Sequence, residues 1–189
     1  MKMTTNKTSL KEIKKFFDKN DWEPLPFQLE SWEAYLNGEN GIIQVPTGCG
    51  KTYAALMGPL SKLNDCRKKS GLNILLITPL KALSRDLKNA IDSAAKYFDE
   101  EITVGIRNGD TSPYEKKKQI LNPPNILITT PESLSLLLSN KESKNIFRNL
   151  FSIIIDEWHE LMGSKRGNQC ELLLSWLRGN KKDLQIWAM

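Results

Sequence analysis

The sequence predicts an α/β fold: a mostly parallel sheet with helices on both faces, layered α/β/α. Three observations carry that prediction. Short apolar runs rich in β-branched residues recur along the 189 residues. Most of these runs are continuous rather than alternating, which marks strands buried on both faces. Between them lie stretches with helical periodicity, and strands that alternate with helices fold as crossover units around a parallel sheet.

The elements follow in order. Residues 1–8 are polar and expected to be disordered, leaving 9–189 as one domain. Residues 41–45 are the first predicted strand, and a helix over 53–63 follows it. The second strand covers 73–78. Residues 81–98 then set Leu83, Leu87, Ala90, Ile91, Ala94 and Phe98 on one helical face. A strand at 102–107, a helix at 114–121, a strand at 125–129 and a helix at 132–138 come next. Residues 151–156 read Phe-Ser-Ile-Ile-Ile-Asp and form the fifth strand. A helix over 168–178 is expected to stop at Gly179, and a strand at 184–189 is the last.

Composition narrows the function classes. The net charge of +5 suits a polyanionic partner, although clusters such as Lys116-Lys117-Lys118 also read as solvated helix surface. No apolar run reaches the roughly 18 residues of a membrane span, and residues 1–8 lack a signal-peptide core. Cys49, Cys66 and Cys170 are scattered and odd in number, which argues against a disulfide framework or a zinc site. A reducing, cytoplasmic setting is expected.

In open α/β sheets ligands bind beyond the carboxyl ends of the strands. Those ends here are Pro46-Thr47-Gly48, Pro79-Leu80-Lys81, Asn108-Gly109-Asp110, Thr130-Pro131-Glu132 and Asp156-Glu157-Trp158-His159. The first opens a phosphate loop, Thr47-Gly48-Cys49-Gly50-Lys51-Thr52, between a strand and a helix. The strict pattern has a Gly separated by four residues from the Gly-Lys pair; Val45 stands there, while the Gly-Lys-Thr end is kept. Gly48 and Gly50 let backbone N–H groups turn toward phosphate oxygens, and the helix N-terminus adds positive potential. Lys51 is expected to reach the β- and γ-phosphates of ATP, and Thr52 to offer its hydroxyl to Mg²⁺. A Gly-rich turn with an exposed lysine is the plainer alternative; the order strand, loop, helix favours the phosphate loop.

Phosphoryl transfer also needs a metal anchor and a group that positions water. Two acids at a strand end supply both: Asp156 for Mg²⁺ and Glu157 to orient and deprotonate the attacking water. Alone they would read as surface carboxylates, and the phosphate loop upstream changes that balance. His159, the single histidine, follows directly.

With these residues in view, Asp156-Glu157-Trp158-His159 resembles the DExH box of superfamily 2 helicases. The resemblance implies a RecA-like domain in which His159 links the nucleotide site to a second motor domain or to the nucleic-acid track. Pro26-Phe27-Gln28 resembles the Q-motif region, with Gln28 placed to read the adenine edge; Phe27 or Trp22 either stacks on the base or packs in the core. Thr78-Pro79-Leu80-Lys81 resembles motif Ia, and Thr129-Thr130-Pro131-Glu132 resembles motif Ib. In that superfamily these segments grip one strand's backbone, which suits their hydroxyls, Lys81 and helix starts.

The wider pattern, including Asn108-Gly109-Asp110-Thr111 and Lys165-Arg166-Gly167, resembles the large helicase-related (Lhr) group, in particular its ligase-associated DNA-repair branch. That implies an ATP-driven translocase moving 3′ to 5′ on single-stranded DNA, with Asp110 and Arg166 as candidates for strand or interdomain contact. Val45, Cys49 and Asn108 depart from the usual Ala, Ser and Thr, and the sequence offers no account of Asn108. The chain is expected to end before motif III, so the second motor domain and its arginine finger are expected partners. Alternatives are a DExH RNA helicase, a P-loop ATPase serving protein partners, and a non-catalytic nucleic-acid-binding module.

Overall fold

A computed structural model describes residues 2–46, 48–66, 70–79, 84–181 and 183–189, without the side chains of 2–7 and 84–86. The expectations for Thr47, Leu80, Lys81 and Leu83 lie outside the described residues.

In chain order the elements are α1 (Lys2–Lys19), α2 (Pro26–Leu36), β1 (Gly41–Ile42), α3 (Lys51–Asn64), β2 (Ile74–Ile77), α4 (Ser84–Phe98), β3 (Val104–Arg107), α5 (Pro113–Leu121), β4 (Ile126–Thr129), α6 (Pro131–Leu138), α7 (Ser143–Ile146), β5 (Ser152–Ile155), α8 (Trp158–Leu161), α9 (Lys165–Asn180) and β6 (Gln185–Ala188). The strands form one sheet in the order β1-β6-β5-β2-β4-β3, and all pairings are parallel.

Successive side chains of a strand point to opposite faces, and the continuous apolar strands feed two cores. Ile74 and Leu76, with Ile126, Ile128 and Ile154, face α1, α2, α3 and α4 through Ile13, Phe17, Trp32, Leu56, Leu60 and Ile91. Leu75 and Ile77, with Leu127, Ile153 and Ile155, face α6, α7 and α9 through Leu134, Ile146, Phe147, Cys170 and Leu177. The three-layer α/β/α expectation is met.

The boundaries differ in instructive ways. α1 runs back to Lys2, into the stretch expected to be disordered; Ile13, Phe16 and Phe17 bury its face, and the Ser9 hydroxyl bonds the Asp65 carboxylate at 3.1 Å. β1 is shorter than the expected 41–45. The Ile43 N–H still reaches the Ala188 carbonyl at 2.8 Å, after which the chain leaves the sheet. Gly179 does not stop α9: the helix continues to Asn180 and ends where Lys181 turns extended, at φ −144°.

Close packing requires a different glycine. A Cβ on Gly167 would sit 2.1 Å from the Leu161 carbonyl oxygen, whereas one on Gly179 would meet nothing within 4 Å. Gly167→Ala is expected to destabilise the domain by about 1–3 kcal/mol through overpacking, lowering the thermal midpoint by about 2–4 °C per kcal/mol. Gly179→Ala is expected to stabilise by about 0.5–1 kcal/mol. Thermal unfolding followed by circular dichroism checks both; equal midpoints would contradict the crowding at Leu161.

Candidate functional site

The register of the sheet builds the site's rim. Arg107 pairs with Thr129, Thr129 with Ile77, Ile77 with Ile155 and Ile155 with Ala188. The carboxyl ends therefore stop level, and Asn108, Thr130, Thr78, Asp156 and Met189 leave the sheet side by side. Backbone bonds continue the ladders by one step, from Thr78 N–H to Thr129 O at 2.9 Å and from Asp156 N–H to Ile77 O at 2.8 Å.

The phosphate loop adopts the backbone its glycines permit. Gly48 and Gly50 have φ of 83° and 79°, in the left-handed region that side chains disfavour. Gly50 is the N-cap of α3, with no side-chain cap bond, so the first turn of a 14-residue helix keeps N–H groups for an anion. Cys49, Lys51 and Thr52 are half-buried and Gly48 is exposed.

Gln28 is 3% exposed and spans two elements. Its Oε1 accepts the Leu25 N–H at 2.9 Å, and its Nε2 donates to the Gly50 carbonyl at 3.1 Å. The side chain thus ties the start of α2 to the phosphate loop. One amide hydrogen and one lone pair are left for a base edge. Trp22 packs against Phe16, Phe17 and Tyr53 while staying 43% exposed. Phe27 packs on the core and lines a cavity of about 420 Å³ with Ser31, Gly41 and Trp187.

Asp156 and Glu157 sit across the rim. Asp156 is nearly buried. Burial, then the neighbouring Glu157 charge, pushes its carboxyl above the usual carboxylate range; the Thr78 hydroxyl, the Glu157 backbone and the Lys51 ammonium pull it partly back. This carboxylate is short of positive charge and suits a site completed by a cation.

Glu157 takes φ 48° and ψ 47°, left-handed without being glycine, the kind of strain that collects at functional sites. It also begins α8, whose Trp158 N–H bonds the Met189 carbonyl at 3.0 Å. The His159 side chain is 65% exposed; its Nδ1 lies 3.4 Å from Glu157 Oε2 and its Nε2 3.6 Å from Glu160 Oε1. Among the described residues no group of three His, Cys, Asp or Glu side chains forms a metal cage.

The loops after β2, β3 and β4 complete the rim. Thr130 caps α6, its hydroxyl accepting the Ser133 N–H, and Pro131 opens the helix. Arg166 Nε donates to Glu132 Oε1 at 2.6 Å, while Nη2 donates to Glu132 Oε2 at 3.3 Å and to the Pro79 carbonyl at 2.9 Å. Pro79, Glu132 and Arg166 are thereby brought together. Gly109 and Asp110 are exposed at the tip of their loop. Asn108 now has an account: its Oδ1 accepts the Asp110 N–H at 3.0 Å and its own N–H bonds the Thr111 hydroxyl at 3.0 Å, closing a tight turn.

Two residues of the rim take roles the sequence does not assign them: Thr78 is expected only as part of the strand-gripping motif Ia segment, and Arg107 only as a strand residue. Thr78 is fully buried and bonds Asp156; its signal was a hydroxyl at a strand end. Arg107 is buried below that loop, donating to the Lys116 carbonyl at 3.0 Å and to Gln119 at 3.4 Å. Its signal was a charge in an otherwise apolar run.

The family described as DEAD/DEAH box helicase matches residues 25–189. The Lhr helicase/probable uracil glycosylase of Mycolicibacterium smegmatis is 36% identical over 166 residues, covering 82% of this chain and 11% of that protein. The ATP-dependent helicase Lhr-Core of Sulfolobus acidocaldarius is 42% identical over 140 residues, covering 69% of this chain and 16% of the relative. The chain therefore spans a small part of the relatives' length. Among solved structures, Mycobacterium smegmatis helicase Lhr bound to ssDNA and AMP-PNP superposes with a TM-score of 0.86 at 32% identity, covering 94% of this chain and 24% of that one.

Proposed function

The chain belongs to the DEAD/DEAH box helicase family, and from that premise we propose that it is the first motor domain of an ATP-driven, DNA-dependent translocase working with a second RecA-like domain. The observation that carries this reading is a shared edge: the left-handed glycine loop opens α3 after β1, and Asp156 and Glu157 leave β5 at the same carboxyl end of the all-parallel sheet.

The division of labour follows from the chemistry. Gly48, Cys49, Gly50 and the first turn of α3, with Thr47, cradle the phosphates, and Lys51 neutralises the β- and γ-groups. A hydroxyl and one carboxylate beside substrate phosphates suit Mg²⁺, which commonly binds through few protein ligands; Thr52 and Asp156 would hold it. When bound, Mg²⁺ offsets the charge of the triphosphate oxygens. Glu157 takes the proton of the attacking water. His159, exposed beside Glu157, passes the state of that site to the second domain. Gln28 reads the adenine edge with its remaining donor and acceptor.

Pro79, Leu80, Lys81, Gly109, Asp110, Thr130 and Pro131 offer a path of hydroxyls, backbone N–H groups and charge for a strand's backbone. DNA is favoured over RNA because the Lhr structure is bound to ssDNA. The resemblance of the combined pattern, residues 104–111, 123–134, 158–161 and 165–167, to the ligase-associated branch makes DNA repair, beside a ligase, the expected setting. Cys49, Cys66 and Cys170 are free thiols, in keeping with a cytoplasmic protein. No helix among the described residues is long and apolar enough to cross a membrane.

The test is ATP hydrolysis by the two-domain protein with single-stranded DNA or a matched RNA. DNA is expected to stimulate more, and strand affinity to fall with salt along a log–log slope of about −0.7 per backbone contact. Hydrolysis indifferent to any nucleic acid would contradict the reading.

A further inference from the structure

We propose that Arg166 is a positioning residue that couples the Asp156–His159 segment to the two loops that hold the strand. The inference rests on the proposed function and adds a route between its two sites.

The route begins at α8, which follows its N-cap Glu157 and ends against a rigid corner. The Ser164 N–H and hydroxyl both donate to the Leu161 carbonyl, at 3.2 and 2.7 Å, and the same hydroxyl accepts the Gly167 N–H at 3.1 Å. Gly167 presses on that carbonyl so closely that it leaves no room for a Cβ. Gly163 makes the turn with φ 70°. α8 and the start of α9 therefore move as one piece.

Arg166 projects from the first turn of α9 and holds two loops at once. Its guanidinium donates to both Glu132 oxygens and to the Pro79 carbonyl. Glu132 lies in the first turn of α6, just after Thr130 and Pro131. Pro79 follows Thr78, which bonds Asp156. A planar fork with fixed donors can satisfy these partners together; an ammonium point charge cannot hold the same geometry. The Glu132 carboxyl is pushed up by burial, yet hydrogen bonds from Arg166, its own backbone and Thr130 bring it below its ordinary value.

Stability does not explain the arrangement. The Arg166 and Glu132 side chains are 43% and 50% exposed, and an ion pair that open to solvent contributes little. What the three bonds fix is spacing, between the loop after β2 and the start of α6. A shift of α8 on nucleotide engagement is carried through the corner to both loops. Coupling of this kind is a free energy shared by two sites, and it is measured as a ratio of affinities.

The test measures the affinity of the two-domain protein for a fluorescein-labelled oligo-dT strand, with and without AMP-PNP. The unaltered protein is expected to show a ratio of about 5–150-fold between the two states. Arg166→Ala is expected to bring that ratio close to one, and Arg166→Lys to leave it there. Glu132→Gln, which keeps one acceptor oxygen, is expected to fall between. Thermal midpoints confirm that each variant is folded. If Arg166→Ala weakens the strand equally in both states and the ratio survives, Arg166 is a plain contact and the proposal is overturned. If the unaltered protein binds no strand in either state, the proposed function falls as well.

Discussion

Lys51→Ala is expected to lower strand-stimulated ATP hydrolysis by about 10²–10³-fold, the scale for removing one preorganised donor aimed at developing negative charge. The reason is local. Lys51 is the first residue of α3, directly after the left-handed Gly50, at the mouth of the phosphate loop. Removing it takes from the β- and γ-phosphates the side-chain charge that the phosphate loop supplies. Nucleotide affinity is expected to fall together with turnover. A hydrolysis assay and binding of a fluorescent ATP analogue, run on the same preparation, check both; turnover within a few-fold of the unaltered protein would contradict the assignment.

Glu157→Gln separates chemistry from binding. The amide keeps the size and a hydrogen-bonding oxygen but cannot take a proton, so kcat is expected to drop by about 10²–10⁴-fold, the usual scale for a general base. Nucleotide binding is expected to survive, because the phosphates are held by the loop and α3. The backbone of Glu157 is left-handed at φ 48°, so the substitution keeps a residue there that must tolerate the same strain. A parallel loss of affinity and turnover would show that Glu157 serves binding instead. The 189-residue chain alone is expected to hydrolyse ATP slowly, since an arginine supplied by a second domain typically contributes about 10³–10⁵-fold.

Part of the site was legible for one physical reason. Parallel strands buried on both faces leave continuous aliphatic runs, so 73–78, 125–129 and 151–156 stand out, and whatever ends them faces the site. Asp156-Glu157 was found that way, whereas the phosphate loop stood out through its own Thr-Gly-x-Gly-Lys-Thr pattern, since β1 before it is short and Ile42 is exposed. What stayed hidden depends on partners distant in sequence. α2 buries Gln28, Ser31, Trp32 and Tyr35, a mixed face with no clear apolar period. α1 announces itself only through Ile13, Phe16 and Phe17, within a strongly charged stretch. Gly179 carried a stop signal that the helix ignores, since its surroundings are open. Arg166 and Glu132 lie 34 positions apart, and no local spacing reveals that they meet at Pro79. The role of Asn108 needed the turn geometry, because Thr111 and Asp110 supply its bonds.

The proposed mechanism requires the phosphate loop and the acidic strand end to meet at a single ion and triphosphate. A double-mutant cycle on Mg²⁺-dependent AMP-PNP affinity tests this most directly, using Thr52→Ala, Asp156→Ala and the pair. Groups that share one ion should couple by about 0.5–3 kcal/mol, so the double variant loses less than the sum of the singles. Effects that add to within about 0.3–0.5 kcal/mol, as independent sites do, would contradict it.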